Sequence, residues 1–401
     1  MYVSSWPGLN PGDFFGASST TGLPFPLNAP HKTYFYVARS GIYHLMRTLG
    51  FQNGDTVLMP DYHSGVEVWA VRAAGARVRY YHINRNMEPD LDELRQLSRS
   101  NSRALYLIHY LGWPQPIQEL TALCRERDMI LIEDCALALF SEVEGQPLGS
   151  LGDYAIFCLY KTLPVPNGGL LVQNRNVHPA LSRMELKRCD RVSVLGRSVE
   201  LMLEWIRGRS EIVGNALTWA KRSGGRALTA LGVKRLPVAD ISPDFRSDGY
   251  DVTKLNIGMS PLCRTLMERF DYESIRQKRR RNYSLMQERL ANRVPLWGKE
   301  LVKGVCPLFF PLLVQDKKTA ARALRERGVA AVELWNYGFP EAKGEEGPDA
   351  RFLREHVLEL PIHQDVTHSQ VEYMADQVLH LKLPTANFCK SVRLRSCSSL
   401  D

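Results

Sequence analysis

DMILIEDCALALFSEVEGQPLGSLGDYAIFCLYKTLPVPNGGLLV, residues 128–172, decides how the rest of the chain is read. Met129 to Ile132 is a short apolar run ending in two carboxylates, the pattern of a buried parallel strand that delivers Asp134 at its carboxyl end. Ligands of open α/β sheets gather at that edge. Tyr154 to Leu159 reads as a second buried strand. It runs into Lys161, followed by Pro164, Pro166 and Asn167-Gly168-Gly169, a turn through which no helix continues. A lysine held on a proline-stiffened loop beside an apolar strand is partly desolvated, which makes its amine more nucleophilic. An acid that protonates a pyridine nitrogen and a lysine that forms a Schiff base are the two protein groups that pyridoxal phosphate needs most. The bland alternative is that Asp134 caps a helix and Lys161 is solvated.

Outward from this stretch the chain alternates strands and helices. Residues 1–30 are rich in Gly, Pro, Ser and Asn and read as an N-terminal arm. Ile42, Leu45, Met46 and Leu49 fall at helical spacing before Gly50, so Ala38 to Gly41 sits at a helix start, where backbone N–H groups and the dipole favour a phosphate. Asp55 to Pro60, Val78 to Ile83 and Ala104 to Tyr110 read as strands, with helices through Val68 and Ala73, Leu91 to Leu97 and Ile117 to Arg127. That alternation predicts a parallel, helix-covered sheet.

After Asn174 the pattern becomes helical, over about 175–236, with Trp205 and Trp219 among apolar residues at helical intervals. Such an insertion packs on a partner subunit, touches a membrane surface or covers a substrate channel; packing within the protein or a dimer is the plainer reading. A long helix is expected from Pro261 to about Arg293. Strands follow at Leu308 to Val314, Ala330 to Leu334 and Val357 to Leu360, with helices at Thr319 to Arg327 and Ser369 to Leu381, an α+β pattern. Residues 386–401 read as a disordered tail.

The 401 residues, 44% hydrophobic and 23% charged, are ordinary for a soluble globular protein and long enough for two domains. No apolar run approaches the roughly 18 to 20 residues of a spanning helix. The start MYVSSWPGLNPGDFF lacks a basic n-region, so a cytoplasmic protein is expected. Eight cysteines lie scattered without CxxC pairs, which points to reduced thiols and neither a zinc site nor a disulfide framework. The net charge of +8 suits phosphorylated ligands as well as nucleic acid, and the RQKRRR run at 276–281 has the look of a solvated helix face with no aromatic interleaving, so no nucleic-acid partner is expected.

Order and spacing of these motifs resemble the DegT/DnrJ/EryC1/StrS family of sugar aminotransferases. Its (I/V)EDxA strand end stands here as Ile132-Glu133-Asp134-Cys135-Ala136, its GSxGD as Gly149-Ser150-Leu151-Gly152-Asp153, and its lysine before a Gly-Gly turn as Lys161 with Gly168-Gly169. The resemblance runs from about Pro26 to about Lys382. It implies a fold-type I transferase of the aspartate aminotransferase kind: a large three-layer α/β/α domain with a mostly parallel sheet over 31–255, and a small α+β domain over 256–385. It also implies pyridoxal 5'-phosphate as cofactor, L-glutamate as amino donor and a keto-sugar, commonly nucleotide-linked, as acceptor.

Residue by residue, the resemblance makes Lys161 the covalent attachment point and proton carrier, and Asp134 the partner of the ring nitrogen. Arg39 and Ser40 stand where SGTxAL binds the cofactor phosphate, and Cys158 where a serine usually does. His63, ahead of Tyr62, is expected to stack on the ring. Asn256 would reach the cofactor phosphate of a neighbouring subunit, which makes a homodimer with shared active sites. His109 and Gly112 resemble the wall loop VHLxG, and Trp335, Tyr337 and His363 would line the substrate pocket. Arg39, Leu137, Cys158 and Gly258 depart from the family pattern and mark a divergent branch. The competing reading from another class is a non-catalytic regulator or assembly partner in a polysaccharide cluster, against which Lys161 speaks.

Overall fold

The computed structural model describes residues 1–15, 22–99, 101–230, 252–291, 293–294, 300–336 and 346–381. The tail predicted over 386–401 lies outside them, as does Tyr337.

Apolar strands of the first half assemble into one seven-stranded sheet. Its members are β1 (Lys32–Phe35), β2 (Thr56–Pro60), β3 (Arg77–Tyr81), β4 (Ser102–Ile108), β5 (Ile130–Asp134), β8 (Tyr154–Cys158) and β9 (Gly169–Gln173), and β6 (Glu142–Val143) with β7 (Gln146–Pro147) forms a separate small hairpin. The spatial order is β1-β9-β8-β5-β4-β2-β3. β3, β2, β4, β5 and β8 run parallel, while β9 is antiparallel to both β8 and β1. Every residue of β8 and β9 is buried, as strands covered on both faces require. β3 ends the sheet and alternates instead, with Arg77 and Arg79 exposed, a charged edge that discourages further pairing. β9 and β1 are strands that sequence periodicity does not announce, because Gly168-Gly169 and Tyr34-Phe35 read first as turn and helix approach.

Helices α1 (Ala38–Thr48), α2 (Val66–Ala73), α3 (Leu91–Leu97) and α4 (Ile117–Glu126) connect these strands, and Ile42, Leu45 and Met46 of α1 are buried in the main core. Beyond β9 come α5 (Pro179–Ser182), α6 (Arg191–Arg209) and α7 (Glu211–Ala230). α6 and α7 pack on each other and leave Val192, Leu195, Ile212, Val213, Leu217 and Trp219 exposed.

The helix expected from Pro261 to Arg293 is two helices, α8 (Pro261–Met267) and α9 (Tyr272–Leu290). The break falls where Asp271 takes an extended conformation and its side chain caps α9 by accepting from the Ser274 N–H. A second sheet pairs β10 (Phe309–Leu313) with β11 (Val357–Pro361), antiparallel, and α10 (Lys317–Glu326), α11 (Pro348–His356) and α12 (His368–Leu379) complete this half. The strand expected over 330–334 does not form: Val332 makes a single bridge to Glu359. No helix among the described residues is long and apolar enough to cross a membrane.

Two long-range attachments matter for the site. The first nine residues are stitched to the C-terminal half: Val3 bridges Val329, the Ser5 hydroxyl donates to the Ala330 carbonyl at 2.7 Å, and the Gly8 N–H donates to Asp365 at 2.8 Å. The backbone just after residue 255 stays with the first sheet, since the Tyr36 N–H donates to the Ile257 carbonyl at 2.9 Å and Phe35 bridges Gly258.

Candidate active site

A cavity of about 300 Å³ opens at the carboxyl ends of the parallel strands. Asp134 ends β5 and Lys161 follows the neighbouring β8 by one short 3-10 turn, so adjacent parallel strands bring both side chains to the cavity wall. Ala38 and Arg39, the first residues of α1, form another side of it. The start of α1 can lie so close because β9 begins with Gly169: a Cβ there would stand 2.3 Å from the Val37 carbonyl carbon. The lysine turn is tied down in turn, since the Thr162 carbonyl accepts from Arg279 at 3.2 Å and Gln364 at 3.0 Å.

Asp134 is 7% exposed and accepts from the Tyr106 hydroxyl at 2.6 Å and the Ala136 N–H at 2.8 Å. Burial raises its pKa above the ordinary aspartate value, while the Tyr106 and Ala136 bonds and the nearby Lys161 charge work the other way. Such a carboxyl is ready for a cationic partner that would draw it back to the ionised form.

Glu133, one residue earlier, points to the other face of the sheet and builds the site's frame. Its Oε1 accepts from the N–H groups of Leu151 at 2.9 Å and Gly152 at 2.5 Å, and its Oε2 from the Gly149 N–H at 2.9 Å and from His109 Nε2 at 3.0 Å. His109 Nδ1 accepts from the Gln115 N–H at 3.1 Å, so the ring proton lies on Nε2. Burial alone would raise the Glu133 carboxyl, but the His109 bond and the backbone N–H groups overcome it and hold the pKa below the usual glutamate value. Gly149 takes φ +86°, and a Cβ there would lie 2.4 Å from the Phe157 ring. The GSLGD loop is thus a mould around Glu133, and His109 supports it from behind.

The remaining residues expected at the site divide. Cys158 lines the cavity and is buried, which pushes its thiol up. Ser40, beside Arg39, does not line the cavity; it lies fully buried, its hydroxyl without a hydrogen-bond partner among the described residues. A buried hydroxyl left unmet at a helix start that also carries Arg39 suits a phosphate oxygen. His63 does not line the cavity. It is 1% exposed, stacks on Tyr80 with centroids 5.4 Å apart, and leaves the cavity wall to Ser64, Val66 and Glu67. Gly65, in the left-handed conformation at φ +92°, caps α2 two residues after His63. Asn256 is half-buried at the outer edge of the first sheet, its carbonyl accepting from the Lys187 N–H, and it does not line this cavity. His363 is buried behind the arm, bonded through Nε2 to the Ser4 carbonyl at 2.9 Å, with burial and the Arg279 charge pulling its pKa down to about 3. Trp335 lines the cavity.

Three wall residues escape sequence reading. Glu67 is 4% exposed and reaches back to Ser64, whose N–H it accepts at 2.8 Å and whose hydroxyl also donates to it. Ser64-x-x-Glu67 is legible as a helix-start pattern, yet nothing in it says that the carboxyl faces a cavity. Glu333 and Trp6 come from loops with no regular pattern.

Residues 31–189 match the DegT/DnrJ/EryC1/StrS aminotransferase family. The chain is 27% identical over 154 residues to GDP-perosamine synthase of Vibrio cholerae, covering 38% of this chain and 42% of that protein. It is 28% identical over 174 residues to dTDP-4-dehydro-2,3,6-trideoxy-D-glucose 4-aminotransferase of Saccharopolyspora spinosa, covering 42% and 45%. The chain thus spans less than half the length of these curated relatives. Among solved structures, the sugar aminotransferase Spr1654 from Streptococcus pneumoniae in its PLP form superposes with a TM-score of 0.66 over 96% of this chain and all of that one, at 16% identity. The aminotransferase TlmJ from Streptoalloteichus hindustanus gives 0.59 over 87% and 84%, at 22% identity. The fold is therefore the fold-type I α/β fold of these solved structures, and residues 31–189 are similar to the DegT/DnrJ/EryC1/StrS aminotransferase family.

Proposed function

We propose that the cavity binds pyridoxal 5'-phosphate and that the protein transfers an amino group from L-glutamate to a keto-sugar. The observation that carries this reading is the convergence of Lys161, Asp134 and the start of α1 on one cavity at the carboxyl edge of parallel strands. Pyridoxal phosphate bound there supplies the electron sink that makes the donor's α-proton removable.

The chain's own residues do the rest. Asp134 would pair with the cofactor's ring nitrogen and hold its proton, and the Tyr106 hydroxyl fixes the carboxyl's orientation. Arg39 and the α1 backbone on the cavity wall would hold the phosphate, with the unmet Ser40 hydroxyl buried next to them. Lys161 would hold the cofactor covalently and, when released, its Nζ would carry the donor's α-proton. The Glu133–His109 frame is structural in this scheme: it holds β5 and the GSLGD loop so that Asp134 cannot drift.

The same reading includes a homodimer in the cytoplasm, with a large domain over 31–255 and a small one over 256–385. A groove beside β1, lined by Lys32, Lys187, Val194, Met259 and Arg264 among others, supports a partner subunit near Asn256. α6 and α7 contribute no residue to the cavity wall among the described residues, which favours the partner over a substrate cover.

The test is the absorption spectrum of purified protein with added pyridoxal phosphate, beside Lys161→Ala, followed by L-glutamate. A band that requires Lys161 and moves to the pyridoxamine form with glutamate is expected. A band indifferent to Lys161, or none, overturns the aminotransferase reading and favours the regulator.

A further inference from the structure

Four consecutive residues of the C-terminal half, Glu333, Leu334, Trp335 and Asn336, line the candidate cavity although they belong to no strand or helix. They follow Val332, whose single bridge to Glu359 is all that forms of a strand there, so the Leu334 backbone has no ladder partner. Side chains meet its polar groups instead. The Leu334 N–H donates to Glu359 Oε2 at 3.0 Å, and the Leu334 carbonyl accepts from Lys317 Nζ at 2.8 Å. Lys317 opens α10 and Glu359 lies in β11; their charged atoms are 3.5 Å apart, and the two side chains are 3% and 0% exposed. One buried ion pair, drawn from two elements, thus grips both polar groups of a single backbone residue. Its neighbours are fastened too: Glu333 pairs with Arg325 at 2.7 Å and accepts from Asn336 at 2.7 Å, and the Trp335 carbonyl accepts from Arg354 at 2.8 Å.

Stability alone does not account for this pair. Burial pushes Glu359 up to about 7 and Lys317 down from its ordinary value, and each charge works against the shift of the other. A buried pair of this kind is often no more stabilising than apolar side chains of the same volume, so its worth lies in the geometry it imposes. That geometry is expressed at Trp335, which takes φ 51°, a left-handed conformation that a bulky residue rarely adopts. Its ring packs edge-on against Tyr62 at 5.0 Å and Tyr110 at 5.8 Å. Backbone held in a sparsely populated region beside a cavity is a usual mark of a recognition site. In the aminotransferase reading, on which this inference rests, Arg39, Asp134 and Lys161 hold the cofactor, and all three come from the first half of the chain. The Trp335 wall is left for what binds beside the cofactor. Amino donor and acceptor occupy that place in turn.

We propose that Lys317 and Glu359, neither of which lines the cavity, are positioning residues of the substrate site. They fix Leu334, Leu334 fixes Trp335, and the Trp335 indole is the wall against which the amino donor binds.

The test uses the full chain and the paired variant Lys317→Met/Glu359→Gln, which strands no buried charge and keeps an amide oxygen for the Leu334 N–H but no ammonium for its carbonyl. In cofactor-free protein, the tryptophan fluorescence lost on adding Trp335→Phe reports that one ring, and acrylamide should quench this share more strongly in the paired variant than in the wild type. After loading with pyridoxal phosphate, the L-glutamate concentration that converts half of the spectrum should rise about tenfold in the paired variant, while affinity for pyridoxal phosphate stays within about twofold. Trp335→Ala should give a similar rise, and adding the paired substitutions to it should raise the value by less than about twofold more. Unaltered quenching, an unaltered response to glutamate, cofactor affinity that falls as far as the glutamate response, or effects that multiply each overturn the assignment. Should the paired variant fail to fold, Trp335→Ala decides, and a glutamate response like that of the wild type overturns the assignment. A wild type whose spectrum ignores glutamate is a different result: it fells the aminotransferase reading and the donor assignment with it, while the quenching measurement still tests the hold on Trp335.

Discussion

Glu133→Gln isolates how the site's frame is held. The substitution keeps the shape of the side chain and changes only its hydrogen-bonding sense. Each carboxylate oxygen now accepts from two buried donors: Leu151 and Gly152 on one, Gly149 and His109 on the other. An amide offers one carbonyl oxygen for one of these pairs and turns an NH₂ group toward the other. His109 cannot rescue the mismatch by changing tautomer, because its Nδ1 is already used as acceptor by the Gln115 N–H. Two charge-assisted bonds in a fully buried place are therefore lost, at about 1.5–3 kcal/mol each, so the variant should be destabilised by about 3–6 kcal/mol.

Urea unfolding of the cofactor-free protein, followed by both tryptophan fluorescence and circular dichroism, measures it. The pH dependence has a definite sign. The folded Glu133 pKa is depressed, so its contribution is complete above the unfolded value near 4.5 and is lost as pH falls through the lower folded value. The gap between wild type and Glu133→Gln should therefore hold steady from pH 8 to about 5 and shrink below about 4.5. A loss below about 1 kcal/mol, or a gap that grows on acidification, would refute the four-donor frame.

Two further outcomes follow from single positions. Asp61 lies 3% exposed and accepts from the Gly347 and Ile83 N–H groups, joining the first sheet to the loop before α11. Burial above all raises its pKa to about 6, so its stabilising contribution is complete below the unfolded value and lost as pH rises through about 6. Relative to Asp61→Asn, the wild type should lose about 3 kcal/mol between pH 4 and 7, and a difference that is flat with pH contradicts this. Gly169→Ala would drive a Cβ against the Val37 carbonyl carbon and the Ala38 nitrogen. We expect a loss of about 1–3 kcal/mol in urea unfolding, as for other overpacked sites, and weaker pyridoxal phosphate binding by titration, since α1 must move. Unchanged cofactor affinity would detach α1 from the phosphate site.

The contrast between Asp134 and His63 shows how far sequence reading reaches. Asp134 and Lys161 are legible because each closes an apolar run, and parallel strands deliver their ends to one edge whatever the loops do. His63 is less legible because it sits on a connection: beside the left-handed Gly65 that caps α2, the cavity wall is formed by Ser64, Val66 and Glu67 rather than by His63. Trp6 and Glu333 are beyond sequence reading for another reason. Their approach to Lys161 depends on pairing between residues 3 and 329, which no local pattern encodes.

By itself, then, the amino-acid sequence determined the parallel sheet of the first half, the α1 start and the Asp134–Lys161 pair, since hydrophobic period and strand ends are local properties. The split of α8 from α9, the reversed β9, the arm bound to the C-terminal half and the tryptophan-lined wall were decided only by tertiary structure. They rest on caps, single-residue backbone conformations and contacts across more than three hundred residues of chain, whose free energy exists only once the two halves have met.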